Sequence, residues 1–283
     1  MLLRYNKLIS FLLVLFFCTP SFANFNPDFW PYIQERMFGV RTAVELPIDN
    51  NELVISGPKR AASGAQVPVS ITVNTKRFVK IHLIIDANPT QLAATFKLTK
   101  NTQNTEITTR IRMETDSFVR VVGETANGDL FTHKTGIRAS GGCSGYMDVH
   151  DPELTKNLGK ILFKEKEGYK TTRIKHPMFT GLQKDLESGG YIPLWTIKTI
   201  TWVDKDDYIV MQADTYISIS QDPYVKFKYN GNVRVIAEDT KGNSFKKWEQ
   251  DNLYESTPEK KLSRCMARKS YKHYREISNL VPI

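Results

Sequence analysis

Apolar and polar positions alternate along two stretches of this chain. Val67, Val69, Ile71 and Val73 recur at every second residue, as do Val79, Ile81, Leu83 and Ile85, which is the period of strands with one buried face. Ile107, Thr109, Ile111 and Met113 alternate with Thr108, Arg110 and Arg112. Runs at 118–122 and 130–137 flank Asn127-Gly128, a turn signal between paired strands. This first half reads as an antiparallel sandwich.

A polar stretch at 148–160 reads as a linker, and a second series of strands begins near Ile161. Its apolar positions are Trp195, Ile197, and the runs 208–211, 216–219, 225–229 and 233–237. Asn230-Gly231 and Lys241-Gly242-Asn243 supply turns. Many short strands at this spacing predict a second sandwich, so the fold class is all-β: two sandwich domains with short flanking helices. One helix is expected where Trp30, Ile33, Met37 and Phe38 share a helical face and Gly39 stops the run. The other is expected after Ser256-Thr257-Pro258-Glu259, a capping-box pattern, with Leu262, Cys265, Met266, Ile277 and Leu280 on one face.

The beginning of the chain changes the compartment. Arg4 and Lys7 precede an apolar run from Leu8 to Phe17, and Ser21-Phe22-Ala23 forms a small-residue cleavage site. The run is short for a membrane span. Residues 1–23 are therefore expected to be a signal peptide, and the mature protein to be soluble and periplasmic. Phe16 and Phe17 stand where a lipid-attachment site at Cys18 would want small residues.

Cleavage would remove two cations and no acid from a formal balance of +9. Most of the remaining excess sits within the tail, 249–283, in the stretch from Glu259 to Glu276, where Lys260, Lys261, Arg264, Arg268, Lys269, Lys272 and Arg275 face only those two glutamates. The rest is close to neutral, so the basic pI is no argument for nucleic-acid binding. The tail reads as a solvated helix face, with docking to an acidic partner or an anionic membrane surface as the alternative.

Chemistry concentrates at Ala139-Ser140-Gly141-Gly142-Cys143-Ser144-Gly145. Gly141, Gly142, Ser144 and Gly145 are expected to form a flexible arm that exposes Cys143, because thiolates react where they are accessible. Nothing near Cys143 in sequence predicts a lowered thiol pKa. Pairing of Cys143 with Cys265 in an oxidising compartment stays open. Cys265, on its apolar face, reads as packed.

Other chemistries find little support. His82, His133, His150, His176 and His273 are scattered, without paired-cysteine spacing, so no metal or other cofactor is expected. His176 before Pro177 reads as a hydrogen-bonded structural residue, and His150 with Asp148 and Asp151 as part of the polar linker. The glycines around Cys143 lack the lysine and following helix of a phosphate loop, and no histidine base can be placed beside the thiol. An enzyme is not expected.

Several segments carry a family resemblance. Gly57-Pro58-Lys59-Arg60-Ala61-Ala62-Ser63-Gly64-Ala65-Gln66-Val67-Pro68-Val69, Ile85-Asp86-Ala87-Asn88-Pro89, Thr109-Arg110-Ile111-Arg112-Met113 and Gly141-Gly142-Cys143-Ser144-Gly145 resemble SoxY, the sulfur-carrying subunit of thiosulfate oxidation. Ile174-Lys175-His176-Pro177-Met178-Phe179-Thr180-Gly181-Leu182-Gln183-Lys184-Asp185, Tyr191-Ile192-Pro193 and Ile217-Ser218-Ile219-Ser220-Gln221-Asp222-Pro223-Tyr224 resemble its partner SoxZ. The resemblance implies immunoglobulin-like sandwiches, a carrier domain at 24–147, the linker, and a SoxZ-like domain at 161–248.

The resemblance further implies covalent attachment of sulfur intermediates to Cys143, pairing between the two domains, and periplasmic sulfur-oxidising enzymes as partners. Two features depart from the family pattern: Ser144 replaces a glycine, and the chain continues beyond the arm. Such fusions resemble SoxYZ-like carriers associated with quinoprotein dehydrogenases. The alternative is a non-catalytic docking or accessory protein for such a dehydrogenase, with Cys143 incidental.

Overall fold

A computed structural model describes residues 29–249. The expected signal peptide, Cys18, Cys265 and the basic tail beyond Glu249 lie outside the described residues.

In chain order the elements are α1 (Trp30–Phe38), β1 (Ala43–Glu45), β2 (Leu53–Ser56), β3 (Val67–Val73), β4 (Phe78–Ile85), β5 (Leu92–Leu98), β6 (Thr105–Ile111), β7 (Ser117–Thr125) and β8 (Leu130–Ile137). Then come β9 (Gly145–Met147), α2 (Pro152–Thr155), β10 (Ile161–Lys166), β11 (Tyr169–Ile174), β12 (Gln183–Asp185), β13 (Ile197–Val203), β14 (Ile209–Thr215), β15 (Tyr224–Lys228), β16 (Arg234–Asp239) and β17 (Ser244–Trp248). The fold is all-β and sandwich-like, as the alternation predicts.

The two halves do more than lie side by side. One sheet runs β1-β8-β7-β4-β5-β14-β13-β16-β17, and the facing sheet runs β10-β11-β15-β6-β3-β2. Both therefore cross from the first half to the second. In one layer β5 pairs antiparallel with β14, from Leu98 opposite Met211 to Ala94 opposite Thr215. In the other, Ile107, Thr108 and Thr109 of β6 stand opposite Phe227, Lys226 and Val225 of β15. Edge strands that would otherwise present unpaired backbone groups are thereby closed.

A single apolar cluster fills the space between the sheets. Ile71, Leu83, Phe96 and Ile107 from the first half share it with Trp202, Met211, Phe227 and Val235 from the second. Trp202 is fully buried, donates its indole N–H to Thr172 Oγ1 at 2.9 Å and meets the Phe227 ring edge-on.

Helix α1 forms where its apolar face predicts, and Gly39 ends it with φ +63°. It explains why β4 does not alternate cleanly. Ile84, on the outer face of that strand, packs with Val122 and Leu130 under Trp30, Ile33 and Phe38, so both faces are buried.

Two expectations differ locally. Residues 216–219 form a turn, with Ile219 making one bridge to Ile111, because Ile219 N bonds back to Tyr216 O instead of a neighbouring strand. The 148–160 stretch holds α2, capped by the Asp151 side chain, and packs Leu154 and Leu158 against Phe179, Ile192 and Trp195.

Candidate functional site around Cys143

Strand β8 ends at Ile137, and the chain then runs along the rim of the first half. Ala139 N bonds Asp116 Oδ1, Gly141 N bonds Glu114 O and Gly142 N bonds Met113 O, the last two at 3.0 Å. Gly142 approaches the backbone so closely that a Cβ there would lie 2.1 Å from Gly64 O. Only glycine permits that contact. Gly145, at φ +119° with open space beside it, then turns the chain into β9.

Cys143 is 1% exposed, a correction to the expected exposed arm. Its N–H donates to Glu114 Oε2 at 2.8 Å, the Ser144 N–H to the same oxygen at 3.2 Å, and the Ser144 hydroxyl to Glu114 Oε1. Burial alone would raise the Glu114 pKa; these bonds outweigh it and hold the carboxyl below its ordinary value.

The second half closes the site. Thr180 donates its hydroxyl hydrogen to Cys143 O at 2.8 Å, and β9 pairs parallel with β12, Gly145 opposite Gln183. Thr180 is itself fixed, since its N–H donates to Gln183 Oε1 and its Oγ1 accepts from Leu182 N. Beside it Met178, at φ +51° and fully buried, accepts from Arg112 Nη2 through its carbonyl oxygen at 3.1 Å. Arg112 Nη1 also reaches Gly142 O at 3.4 Å.

The electrostatics favour a protonated thiol in this position. Burial, and then the negative charge of Glu114, pushes the Cys143 thiol up to about 12, with Arg112 acting in the opposite direction. A docked Cys143 is thus shielded and unreactive.

The other sequence candidates sit apart from this chemistry. His176 is buried, accepts from Met178 N through Nδ1 at 3.0 Å, and stacks edge-on against Trp195. Its burial lowers the imidazole pKa to about 4 against the pull of Asp239, whose Oδ2 lies 3.6 Å from Nε2. It shapes the loop that leads to Met178 and Thr180. His150 is exposed, 3.7 Å from Glu187, and Asp148 accepts from the His150 N–H. Among the described residues no group of three or more His, Cys, Asp or Glu is placed to hold a metal.

A cavity of about 350 Å³ is lined by Phe179 of the same loop together with Tyr191, Ile192, Trp195 and Lys241. Sequence reading did not single out Glu114, Arg112 or Thr180 as site residues. Their one signal was position within or beside the quoted segments.

Comparison with known proteins follows the same division. Residues 35–143 match the family model of sulfur oxidation protein SoxY, ending on Cys143 itself, and residues 166–250 match that of sulphur oxidation protein SoxZ. Among solved structures, the sulfur carrier protein SoxY from Chlorobium limicola f thiosulfatophilum is 22% identical, with 38% of this chain and 89% of that chain covered and a TM-score of 0.33. No curated protein matches the chain. The polypeptide thus joins a SoxY-family domain, which ends on the cysteine, to a SoxZ-family domain, which closes over it.

Proposed function

We propose that this protein is an exported, periplasmic sulfur carrier that holds a sulfur intermediate covalently on Cys143 and presents it to partner enzymes. The observation that carries this reading is the position of Cys143: it is the last residue of the SoxY-family match and is hydrogen-bonded to Thr180 of the SoxZ-family half. The protein supplies a handle and a docking surface, and its partners supply catalysis.

Loading requires the thiolate. Cys143 loses its proton to solvent and its sulfur couples to the outer sulfur of a thiosulfate-type dianion. One S–S bond forms and two electrons leave to a redox partner, such as a quinoprotein dehydrogenase. Because the docked thiol is shielded, loading proceeds from an undocked segment in which the Glu114 and Thr180 bonds are open. Gly141, Gly142, Ser144 and Gly145 provide the conformational freedom for that movement. The chain is tethered on both sides of Cys143, by β8 and β9, so the segment moves as a loop.

A second reading is favoured by the burial of Cys143 and its thiol near 12. In it the joined sandwiches dock a dehydrogenase and the cysteine is incidental. Cys143→Ser separates the two. The carrier reading predicts loss of sulfur-compound oxidation by the producing cells with partner binding retained; full function of the serine variant would establish the scaffold.

A further inference from the structure

Among the described residues, Arg112 is a buried cation without a paired anion. Three cationic side chains of the described residues are buried: Arg112 at 4% exposure, Arg120 at 0% and Lys170 at 1%. Arg120 pairs with Asp86 at 2.7 Å, and Lys170 with Glu249 at 2.9 Å and Glu165 at 2.6 Å. Among the described residues the Arg112 side chain reaches only carbonyls, Gly142 O and Met178 O, and its Nε has no hydrogen-bond partner. A buried charge left this way is costly, because desolvation is not offset by an opposite charge.

The missing charge belongs beside Cys143. Nη1 reaches the carbonyl immediately before the cysteine, and Nη2 ties the same guanidinium to the SoxZ-family loop that covers it. Among the groups acting on the thiol, Arg112 is the one that favours its anion. The Cys143 thiolate in turn is the one charge that supports the guanidinium against burial. A neutral thiol leaves that interaction unused.

We propose that Arg112 is the counter-charge for an anionic cargo on Cys143, a terminal sulfonate or persulfide anion, and that it retains the loaded segment in the docked position. This rests on the reading of Cys143 as the attachment point. A guanidinium presents planar, forked donors that match the oxygens of a sulfonate, and such charge-assisted bonds strengthen out of water. Arg112 would therefore be a positioning residue that distinguishes anionic from neutral adducts.

The test uses the full mature chain with Cys265→Ser, which leaves Cys143 as its only thiol. Tetrathionate loads it without a further oxidant: the thiolate attacks an inner sulfur, forming Cys143–S–S–SO₃⁻ and releasing thiosulfate. Methyl methanethiosulfonate gives a neutral methyl disulfide by displacing methanesulfinate. Peptide mapping confirms each adduct, and thermal melting is compared within each variant, so general loss of stability cancels.

The thiosulfonate form of the parent protein is expected to melt roughly 5 °C above its methyl disulfide form. Arg112→Met should close that gap to below about 1 °C, and Arg112→Lys should keep part of it. An unchanged gap in Arg112→Met would overturn the proposal. So would a parent protein whose two adducts melt together, a result that needs no variant to fold. Failure of the carrier reading would appear elsewhere, as native protein that never carries an adduct in its cells while the chemically loaded gap persists.

Discussion

Thr180 Oγ1 donates to the carbonyl oxygen of Cys143 at 2.8 Å, binding the SoxZ-family half to the residue on which the SoxY-family match ends. One neutral hydrogen bond contributes about 1 kcal/mol net, or roughly a fivefold change in an opening equilibrium. Thr180→Val should therefore raise the rate of Cys143 alkylation by iodoacetamide about fivefold with little change in melting temperature. Gly142→Ala, whose Cβ would meet Gly64 O, should raise it further. Equal rates in parent and both variants would show that neither contact governs access.

The pH dependence of that alkylation reports the docked state. With the thiol pushed up to about 12, the neutral form is the one the docked position favours, so thiolate accumulates only as pH rises toward that value. The logarithm of the rate should climb with pH from 7 past 9.5 without levelling. A peptide excised around Cys143 should level near the ordinary thiol pKa of about 8.5. Glu114→Gln should bring the inflection of the whole protein down, by removing the negative charge that faces the thiol while keeping an oxygen to accept from the Cys143 N–H.

His176 gives the fold an acid-sensitive element. Its folded pKa, about 4, lies below the ordinary imidazole value of 6.5, so the unfolded chain binds the proton more readily. The contribution is fully present above pH 6.5 and is lost as pH falls through about 4. Between pH 7 and 4.5 the loss is about 2 kcal/mol. Urea unfolding should show that difference for the parent protein relative to His176→Gln, and parallel pH profiles would contradict it.

Because both sheets and the core run through the junction of the halves, heat should unfold them together. Calorimetry of the mature chain is expected to show one transition. Trp202→Ala, which empties the centre of the shared core, should lower its stability by about 3–5 kcal/mol without splitting it. Two transitions would mean that the halves fold independently despite the β5–β14 and β6–β15 pairings.

What could be seen in advance follows from where the determining contacts lie. β3 was legible because one of its faces meets the core and every second residue is buried. β5 was not, since Ala93, Ala94, Thr95 and Phe96 are all buried and erase the alternation. The Gly-Gly-Cys segment was visible as chemistry, but its burial was hidden. The residue bonding its carbonyl lies 37 positions later and the carboxylate bonding its amide 29 earlier. Arg112 extended an alternating run, which placed it on the outer face; β6 ends at Ile111, and beyond that point strand period no longer dictates direction.

The central claim is that Cys143 carries sulfur. Peptide mass spectrometry of the native protein, purified from its own cells without reductant, tests it most directly. The account predicts a reductant-labile sulfur adduct on the peptide containing Cys143; a uniformly unmodified thiol under conditions that induce the protein would contradict it and leave the docking scaffold.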